Sequence, residues 1–169
     1  SVLGPLLFLV FVNDIVEKLL CISRLFADDT SISFSSRNTH DIEAFINQDL
    51  QIISEWARQW KVSFNPNKTE ALFFTTKTNE HPPNIFFENI PVQFVEHHKH
   101  LGLTLSNDGK WHTHIDNLVK SALKLLAMMR KIKFSVKRRT LNQLYISFLR
   151  PILEYSSVVW DGCSEYEKE

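Results

Sequence analysis

The sequence predicts an α+β fold, in which an antiparallel sheet with packed helices is followed by an α-helical region. Two observations predict it. Short apolar runs, some alternating with polar residues, lie between turn signals as far as residue 109. Apolar residues also recur at three- and four-residue steps over 42–60 and again from 112. We therefore divide the chain into a mixed region at 1–109, a basic helical region at 110–150 and a tail at 151–169 whose pattern predicts no fold.

The first predicted element is a helix over 5–20. Pro5 suits the first position of a helix, and Gly4 gives a flexible approach to it. The run from Leu6 to Val12 is apolar nearly all round, which predicts a helix buried on several sides. It is too short to span a bilayer and lacks the basic start of a signal peptide.

Residues 24–35 predict a strand, two adjacent carboxylates and a second strand. Asp28 and Asp29 follow an apolar run, and Ile32 and Phe34 then alternate with polar residues. Asp is common in turns because it tolerates turn geometry and bonds its own backbone. Two adjacent carboxylates also repel each other unless water or a cation screens them. The pair is therefore either a solvated turn, the commoner case, or half of a Mg²⁺ or Mn²⁺ site.

The next elements are a long helix and a strand–turn–strand segment. Asn38 or Thr39 caps the helix, whose amphipathic pattern runs to Trp60. Residues 61–75 predict the strand–turn–strand segment, with Lys68 at the exit of the turn. A lone lysine in a turn is usually solvated.

Later strands and helices complete the pattern. Residues 85–92 predict a short hairpin, and 100–105 predict one strand closed by a turn at 106–109. We expect the strands of the mixed region to share one sheet, in either a five-stranded or a smaller arrangement. A helix follows from 112, Ser135 caps another, and Pro151 ends or kinks that second helix.

Charge is unevenly distributed along a chain whose net charge is zero. Residues 1–109 contain eight Lys or Arg and 13 Asp or Glu, whereas residues 110–150 contain ten Lys or Arg and one acid, Asp116. Such asymmetry indicates either contact with a phosphate backbone or a solvated helix surface. The candidate nucleic-acid-binding residues here are Lys120, Lys124, Arg130, Lys131, Lys137, Arg138 and Arg139.

Four motifs occur in a specific order along the chain. They are Ser1–Phe8, Phe26–Asp29, Phe64–Thr69 and His100–Gly102. In this order and spacing the chain resembles reverse transcriptases, particularly those of jockey-like retrotransposons without long terminal repeats. The resemblance covers essentially the whole chain. It implies a partial polymerase palm at 1–109 and a thumb-like region at 110–150.

The resemblance also implies catalytic roles. Asp28 would be a metal ligand and Asp29 its accompanying acid, with Phe26 where Tyr is common in the family. The cofactor would be Mg²⁺ or Mn²⁺ at a two-metal site for nucleotidyl transfer. Lys68 would lie near the triphosphate as an acid for the leaving group.

Further residues would contact nucleic acid if the resemblance holds. Ser1, Gly4 and Pro5 would lie near the nascent base pair and the template. Leu101 and Gly102 would grip the primer end, and the basic helices would follow the duplex backbone. The expected partners are an RNA template, a DNA primer, a deoxynucleoside triphosphate and the remainder of the parent polyprotein, without a membrane.

The chain also departs from the family's pattern. Its abrupt apolar start predicts a fragment of a longer polypeptide, without the fingers and without the strand that carries another catalytic aspartate. No later acid replaces that aspartate, because the remaining candidates occupy predicted helices or turns. Those candidates are Asp41, Asp49, Asp108 and Asp116. We therefore expect the fragment alone not to polymerise.

Two alternatives remain open at the level of sequence. One is a non-catalytic nucleic-acid-binding remnant that keeps only the basic helices. The other is an unrelated metal phosphohydrolase, which would need a complete ligand cluster within the chain. Its only candidate ligands are His97, His98, His100, His112 and His114, whose spacing does not place them on one helical face.

Overall fold

A computed structural model describes residues 3–77 and 80–163 and confirms the mixed helix and strand class. The chain divides into two compact units, which we describe separately. The first unit comprises Ser1–Phe73 and Lys77–Phe94, and the second comprises Phe74–Thr76 and Val95–Glu169.

The first unit contains two α-helices and six short strands. The helices are α1 (Leu3–Val12) and α2 (Thr39–Trp60), with single 3₁₀ turns at Asn13–Val16 and Pro66–Lys68. The strands are β1 (Ile22–Phe26), β2 (Asp29–Ser33), β3 (Glu70–Ala71), β4 (Phe86–Phe87), β5 (Ile90–Pro91) and β6 (Gln93–Phe94).

The second unit is a hairpin followed by helices. Its strands are β7 (His97–His100) and β8 (Leu103–Ser106). Its helices are α3 (His112–Ile132), α4 (Arg138–Leu144), α5 (Arg150–Glu154) and α6 (Ser157–Trp160), with a π-helical turn at Tyr145–Leu149 between α4 and α5.

The expectation of a single sheet was wrong for the described residues. They form four separate two-stranded ladders, of which β1–β2, β4–β5 and β7–β8 are antiparallel and β3–β6 is parallel. Strands β3 to β6 are only two residues long, and Pro91 in β5 has no N–H to donate to a neighbour. Within 61–75, only Glu70 and Ala71 pair with another strand, so most of the predicted strand–turn–strand segment is irregular.

The core of the first unit forms against one face of α2. Of the two predicted caps, Asn38 and Thr39, it is Asn38 that caps this helix, because its side-chain oxygen accepts from the backbone N–H of His40 at 3.0 Å. The buried cluster consists of Ile15, Leu50, Ile53, Ile85, Phe87 and Val92. Burial of these aliphatic and aromatic side chains is the main stabilising contribution within the unit.

Helix α1 is exposed, contrary to the prediction that it would be buried on several sides. Its side chains Leu3, Leu6, Leu7, Phe8, Leu9 and Val10 are 40–75% exposed. Only its C-terminal end packs against α2, where the Phe11 ring lies 5.6 Å from Trp56 and 5.4 Å from Trp60 between centroids. A helix that is apolar all round can turn only one side to a single partner, so the rest of its surface stays uncovered by the described residues.

The helices of the second unit begin and end differently from the expectation. Lys137, not Ser135, occupies the N-cap position of α4, and the Ser135 N–H bonds to the carbonyl of Ile132. Pro151 lies in the first turn of α5, directly after the π-helical turn. Proline removes a helical N–H, which accounts for the break in regular α-helix here. None of the helices among the described residues combines the length and apolar content needed to cross a bilayer.

Candidate functional site

The two adjacent carboxylates lie at the tip of the β1–β2 hairpin. Phe26 pairs with Asp29, which leaves Ala27 and Asp28 as the two turn residues. Ala27 has a φ of +53°, a left-handed conformation that costs free energy for a residue with a Cβ. Asp28 and Asp29 are both exposed, and within the described residues neither side chain is engaged in a hydrogen bond or ion pair. The hairpin tip therefore presents two carboxylates, adjacent in sequence, to open solvent.

One face of this hairpin packs on the core of the first unit. Leu25 and Ile32 lie against the buried cluster, whereas Ile22 and Phe26 on the other face are exposed. Beyond β2, the Phe34 ring packs against Phe45 of α2 with centroids 4.7 Å apart. Ile32 faces the core as predicted, but β2 ends at Ser33, so Phe34 lies just beyond the strand, and both side chains are half-buried.

The carboxylate of Asp49 fixes the base of the hairpin. Asp49 lies on α2 and is completely buried. Its Oδ1 accepts from the N–H of Leu20 at 2.9 Å, and its Oδ2 accepts from the N–H of Cys21 at 2.8 Å. A buried charge is tolerated only when it is well hydrogen-bonded, so this contact orders the chain just before β1.

The sequence predicts that Asp49 lies in a helix but does not predict this contact. A signal was present, because Ile46, Asp49, Leu50 and Ile53 share the spacing of one apolar helical face. An acid on that face needs an internal partner. The two donors were not predictable, because they belong to irregular backbone 28 and 29 residues away.

Asp49 also changes the chemistry of the neighbouring thiol. Burial, followed by the hydrogen bond and the negative charge of Asp49, raises the pKa of Cys21 from 9.0 to about 12. Cys21 is therefore a protonated thiol at neutral pH, which makes it a poor nucleophile and a poor metal ligand.

The donor set at the hairpin tip fits part of a divalent metal site. Carboxylate oxygens are the ligands that Mg²⁺ prefers, and Mg²⁺ commonly binds through one or two carboxylates plus substrate phosphates. Among the described residues, however, no group of three or more His, Cys, Asp or Glu side chains could hold a metal ion. Asp28 and Asp29 can thus contribute to such a site without completing it.

Lys68 ends the 3₁₀ turn at Pro66–Lys68 and is exposed. Asn65 caps this turn, because its side-chain oxygen accepts from the N–H of Asn67 at 3.1 Å. In the described part of the chain, no hydrogen bond or ion pair joins Lys68 to Asp28 or Asp29.

Leu101 and Gly102 form the tip of the β7–β8 hairpin, so the single strand predicted at 100–105 was wrong. His100 pairs with Leu103, and the two residues between them have φ values of +47° and +85°. The hydroxyl of Tyr155 donates to the carbonyl of Leu101 at 2.8 Å. A glycine within a strand pattern can mark a turn, because glycine readily adopts positive φ. Gly102 was therefore the sequence signal for this turn.

The remaining predicted nucleic-acid contacts are surface residues. Gly4 and Pro5 lie in the first turn of α1 and are exposed, while Ser1 lies outside the described residues. The basic candidates are exposed on α3, at the N-cap of α4 and in its first turn. They are Lys120, Lys124, Arg130, Lys131, Lys137, Arg138 and Arg139.

The histidines considered for a metal site have other environments. His97 Nδ1 lies 3.0 Å from Ser106 Oγ, and the rings of His98 and His100 stack at 6.3 Å. His114 is 2% exposed, and its Nδ1 accepts from the N–H of Thr104 at 3.3 Å. Desolvation by burial lowers the pKa of His114. Within the described residues these side chains form no metal cluster, so the phosphohydrolase alternative gains no support.

The family model described as "Reverse transcriptase (RNA-dependent DNA polymerase)" matches residues 1–105. The chain belongs to the reverse transcriptase family. The matched stretch includes both candidate acids, Lys68 and the β7–β8 tip, and it ends before the basic helices.

Curated relatives of this reverse transcriptase chain come from insect transposable elements. It is 29% identical to a probable RNA-directed DNA polymerase from transposon X-element of Drosophila melanogaster, over 99% of this chain and 19% of that protein. It is 26% identical to an RNA-directed DNA polymerase from mobile element jockey of the same species, over 95% of this chain and 19% of that protein. The chain thus spans about a fifth of these relatives. No solved structure matches it.

Proposed function

We propose that this chain is part of an RNA-directed DNA polymerase from a non-long-terminal-repeat retrotransposon. Residues 1–109 would form part of the palm, and residues 110–150 would form a thumb-like region. The observation that carries the proposal is the exposed Asp28–Asp29 pair on a hairpin that Asp49 anchors to α2. Membership of the reverse transcriptase family also supports it.

Asp28 and Asp29 would hold Mg²⁺ or Mn²⁺ through their carboxylate oxygens. The chemistry such ions would supply is activation of the primer 3′ hydroxyl and stabilisation of the leaving pyrophosphate. The contribution of the chain is to fix the two carboxylates before substrate arrives. Asp49 and the packed side chains Leu25 and Ile32 serve this purpose by ordering the hairpin base.

Lys68 would place an ammonium group beside the triphosphate of the incoming nucleotide. A lysine carries three N–H donors and a positive charge, which suits phosphate oxygens. In this position it could donate a proton to the leaving pyrophosphate. Its exposed place after a capped 3₁₀ turn leaves it accessible to such a ligand.

Nucleic acid would bind through backbone contacts rather than base readout. The exposed cations of α3 and α4 would contact phosphates of the primer and the RNA template. Gly4 and Pro5 would lie near the template, and Leu101 and Gly102 near the primer end. The substrates would be a deoxynucleoside triphosphate and a primer–template, and the remainder of the polyprotein would complete the polymerase.

The chain alone would not polymerise, because it offers two carboxylates where the family's site needs another aspartate. Primer extension with Mg²⁺ or Mn²⁺ should therefore give no incorporation. Incorporation that disappears in Asp28→Ala would contradict this part of the proposal.

The metal role of Asp28 and Asp29 can be tested on the chain directly. Mn²⁺ should broaden the amide NMR signals of the hairpin tip through paramagnetic relaxation, and Asp28→Asn with Asp29→Asn should abolish the effect. Asp116→Asn is the matched control, because Asp116 is an exposed acid on α3. Broadening that is equal at Asp116 and at the tip, or unchanged in the double variant, would indicate a solvated turn only.

A non-catalytic nucleic-acid-binding role is the second candidate, and the exposed cations of α3 and α4 favour it. Binding to a primer–template should then weaken steeply with salt, because released counterions drive it. Replacing Lys120, Lys124 and Arg130 by Gln should reduce the salt slope. Salt-dependent binding without Mn²⁺ broadening at the tip would favour this second role over the first.

A further inference from the structure

We infer that Tyr155 is a positioning residue for the primer terminus, acting through the backbone of Leu101 and Gly102. This inference rests on the proposed function, in which the β7–β8 tip contacts the primer end. Its hydroxyl donates a 2.8 Å hydrogen bond to the Leu101 carbonyl, and its ring lies against the Cα of Gly102.

The contact between Tyr155 and Gly102 leaves no room for a larger residue. A Cβ built on Gly102 would lie 2.9 Å from Cε1 of Tyr155 and 3.4 Å from its hydroxyl oxygen. Gly102 also has a φ of +85°, a conformation that other residues rarely adopt. Glycine is thus needed both for the turn and for the approach of the tyrosine ring.

Tyr155 is itself held in place by the end of the helical region. Its N–H bonds to the carbonyl of Pro151 at 3.1 Å, which closes α5. Ser156 then adopts a φ of +51°, and the indole N–H of Trp160 donates to the carbonyl of Tyr155 at 3.1 Å. The backbone of Tyr155 is therefore fixed on both sides.

The buried side chain of His114 connects Trp160 to the β7–β8 hairpin. The Trp160 ring lies 6.1 Å from the ring of His114, and His114 accepts from the N–H of Thr104 on β8. Trp111 packs on the His114 ring with centroids 5.8 Å apart. Contacts from α3, α5 and α6 thus hold both β8 and the tip, which makes the tip a rigid element.

A rigid tip matters because short segments that grip a substrate end must keep their backbone groups in one geometry. The two exposed tip residues present backbone rather than charge, so they can orient a primer end without adding much affinity. Affinity would come from the phosphate contacts of the basic helices. Loss of the Tyr155 hydroxyl should therefore disturb primer placement more than primer–template binding.

The test uses the whole chain and a DNA primer annealed to an RNA template, with 2-aminopurine at the primer 3′ end. Anisotropy measures binding, and 2-aminopurine fluorescence reports the environment of the terminal base. Tyr155→Phe should bind within about twofold of the unchanged chain, since phosphate contacts dominate affinity. Its 2-aminopurine response on binding should be lost.

Tyr145→Phe is the matched control, because it removes another half-exposed tyrosine hydroxyl from the same unit and should keep the response. Circular dichroism checks folding. If Tyr155→Phe does not fold, Trp160→Phe is judged by the same two readouts, because it removes the indole N–H that donates to the Tyr155 carbonyl and keeps an aromatic ring at this position.

The possible outcomes distinguish the positioning role of Tyr155 from the proposed function of the chain. A full 2-aminopurine response in folded Tyr155→Phe would overturn the positioning role and leave the proposed function intact. An unchanged chain that does not bind the primer–template would overturn both. Loss of response with binding retained supports the positioning role.

Discussion

Tyr155 donates a hydrogen bond to the carbonyl of Leu101, a residue 54 positions earlier in the chain. The bond joins the end of the helical region to the tip of a two-stranded hairpin. Because Leu101 carries a Cβ and holds a φ of +47°, the tip contains a strained residue that the surrounding structure must hold in place. Tyr155 supplies that support.

Gly102→Ala should destabilise the second unit by about 2 kcal/mol, combining left-handed backbone strain with displacement of the Tyr155 ring. Gly109→Ala is the control. Gly109 has a φ of +71°, but a Cβ added there would meet no atom within 4 Å, so only the strain of about 1 kcal/mol applies. Urea unfolding of both variants measures the difference, and equal losses would show that the Tyr155 contact contributes nothing.

Asp49→Asn should destabilise the first unit by about 1–3 kcal/mol, because the amide replaces one of the two oxygens that accept from the Leu20 and Cys21 N–H groups with a donor. Asp116→Asn, at an exposed position of α3, should cost less than about 0.5 kcal/mol. Urea unfolding followed by circular dichroism measures both. A loss at Asp49 no larger than at Asp116 would contradict its role as the anchor of the hairpin.

Cys21 should make stability depend on alkaline pH. Its thiol pKa rises from 9.0 to about 12 on folding, so the folded state holds the proton more tightly. The resulting stabilisation is complete below pH 9.0 and is lost as pH rises toward about 12. The free energy of unfolding should therefore fall more steeply over this range in the unchanged chain than in Cys21→Ala. Parallel pH profiles would refute the prediction.

His114 should make stability depend on acidic pH. Burial lowers its pKa below 6.5, so the stabilisation is present above pH 6.5 and is lost as pH falls through the folded-state pKa. Protonation would also remove the acceptor that Nδ1 offers to the Thr104 N–H. The thermal midpoint should fall on acidification, and His114→Asn should reduce that fall. His81→Asn, at an exposed position, should leave the size of this fall in the thermal midpoint unchanged.

Local patterns predicted much of the secondary structure. The cap at Asn38, the amphipathic face of α2 and the carboxylate hairpin each depend on residues close in sequence, and each was found. The hairpin at 85–92 was also correct, because Glu88 and Asn89 both adopt the positive φ that such a turn needs. The candidate roles of Asp28, Asp29 and Lys68 remain predictions.

The wrong or missing predictions have a different cause, because the features concerned depend on contacts between residues distant in sequence. Apolar content alone predicted a buried α1, but burial requires partners on every side, which the described residues do not provide. Alternation predicted one strand at 100–105, but Gly102 turns the chain there and Tyr155 packs against the turn. The anchoring role of Asp49 could not be predicted, because the N–H groups that bond to its carboxylate lie outside the helix that carries it.

The Tyr155–Leu101 bond also has a consequence for the order of folding. Closing a loop of 54 residues costs more chain entropy than closing the two-residue turn of the hairpin itself. During synthesis the hairpin leaves the ribosome first, because chains are made from the N-terminus. Its tip therefore reaches its final conformation only after Tyr155 and Trp160 have been translated. Premature termination within the last helices would release a chain whose hairpin has formed but whose tip is unsupported.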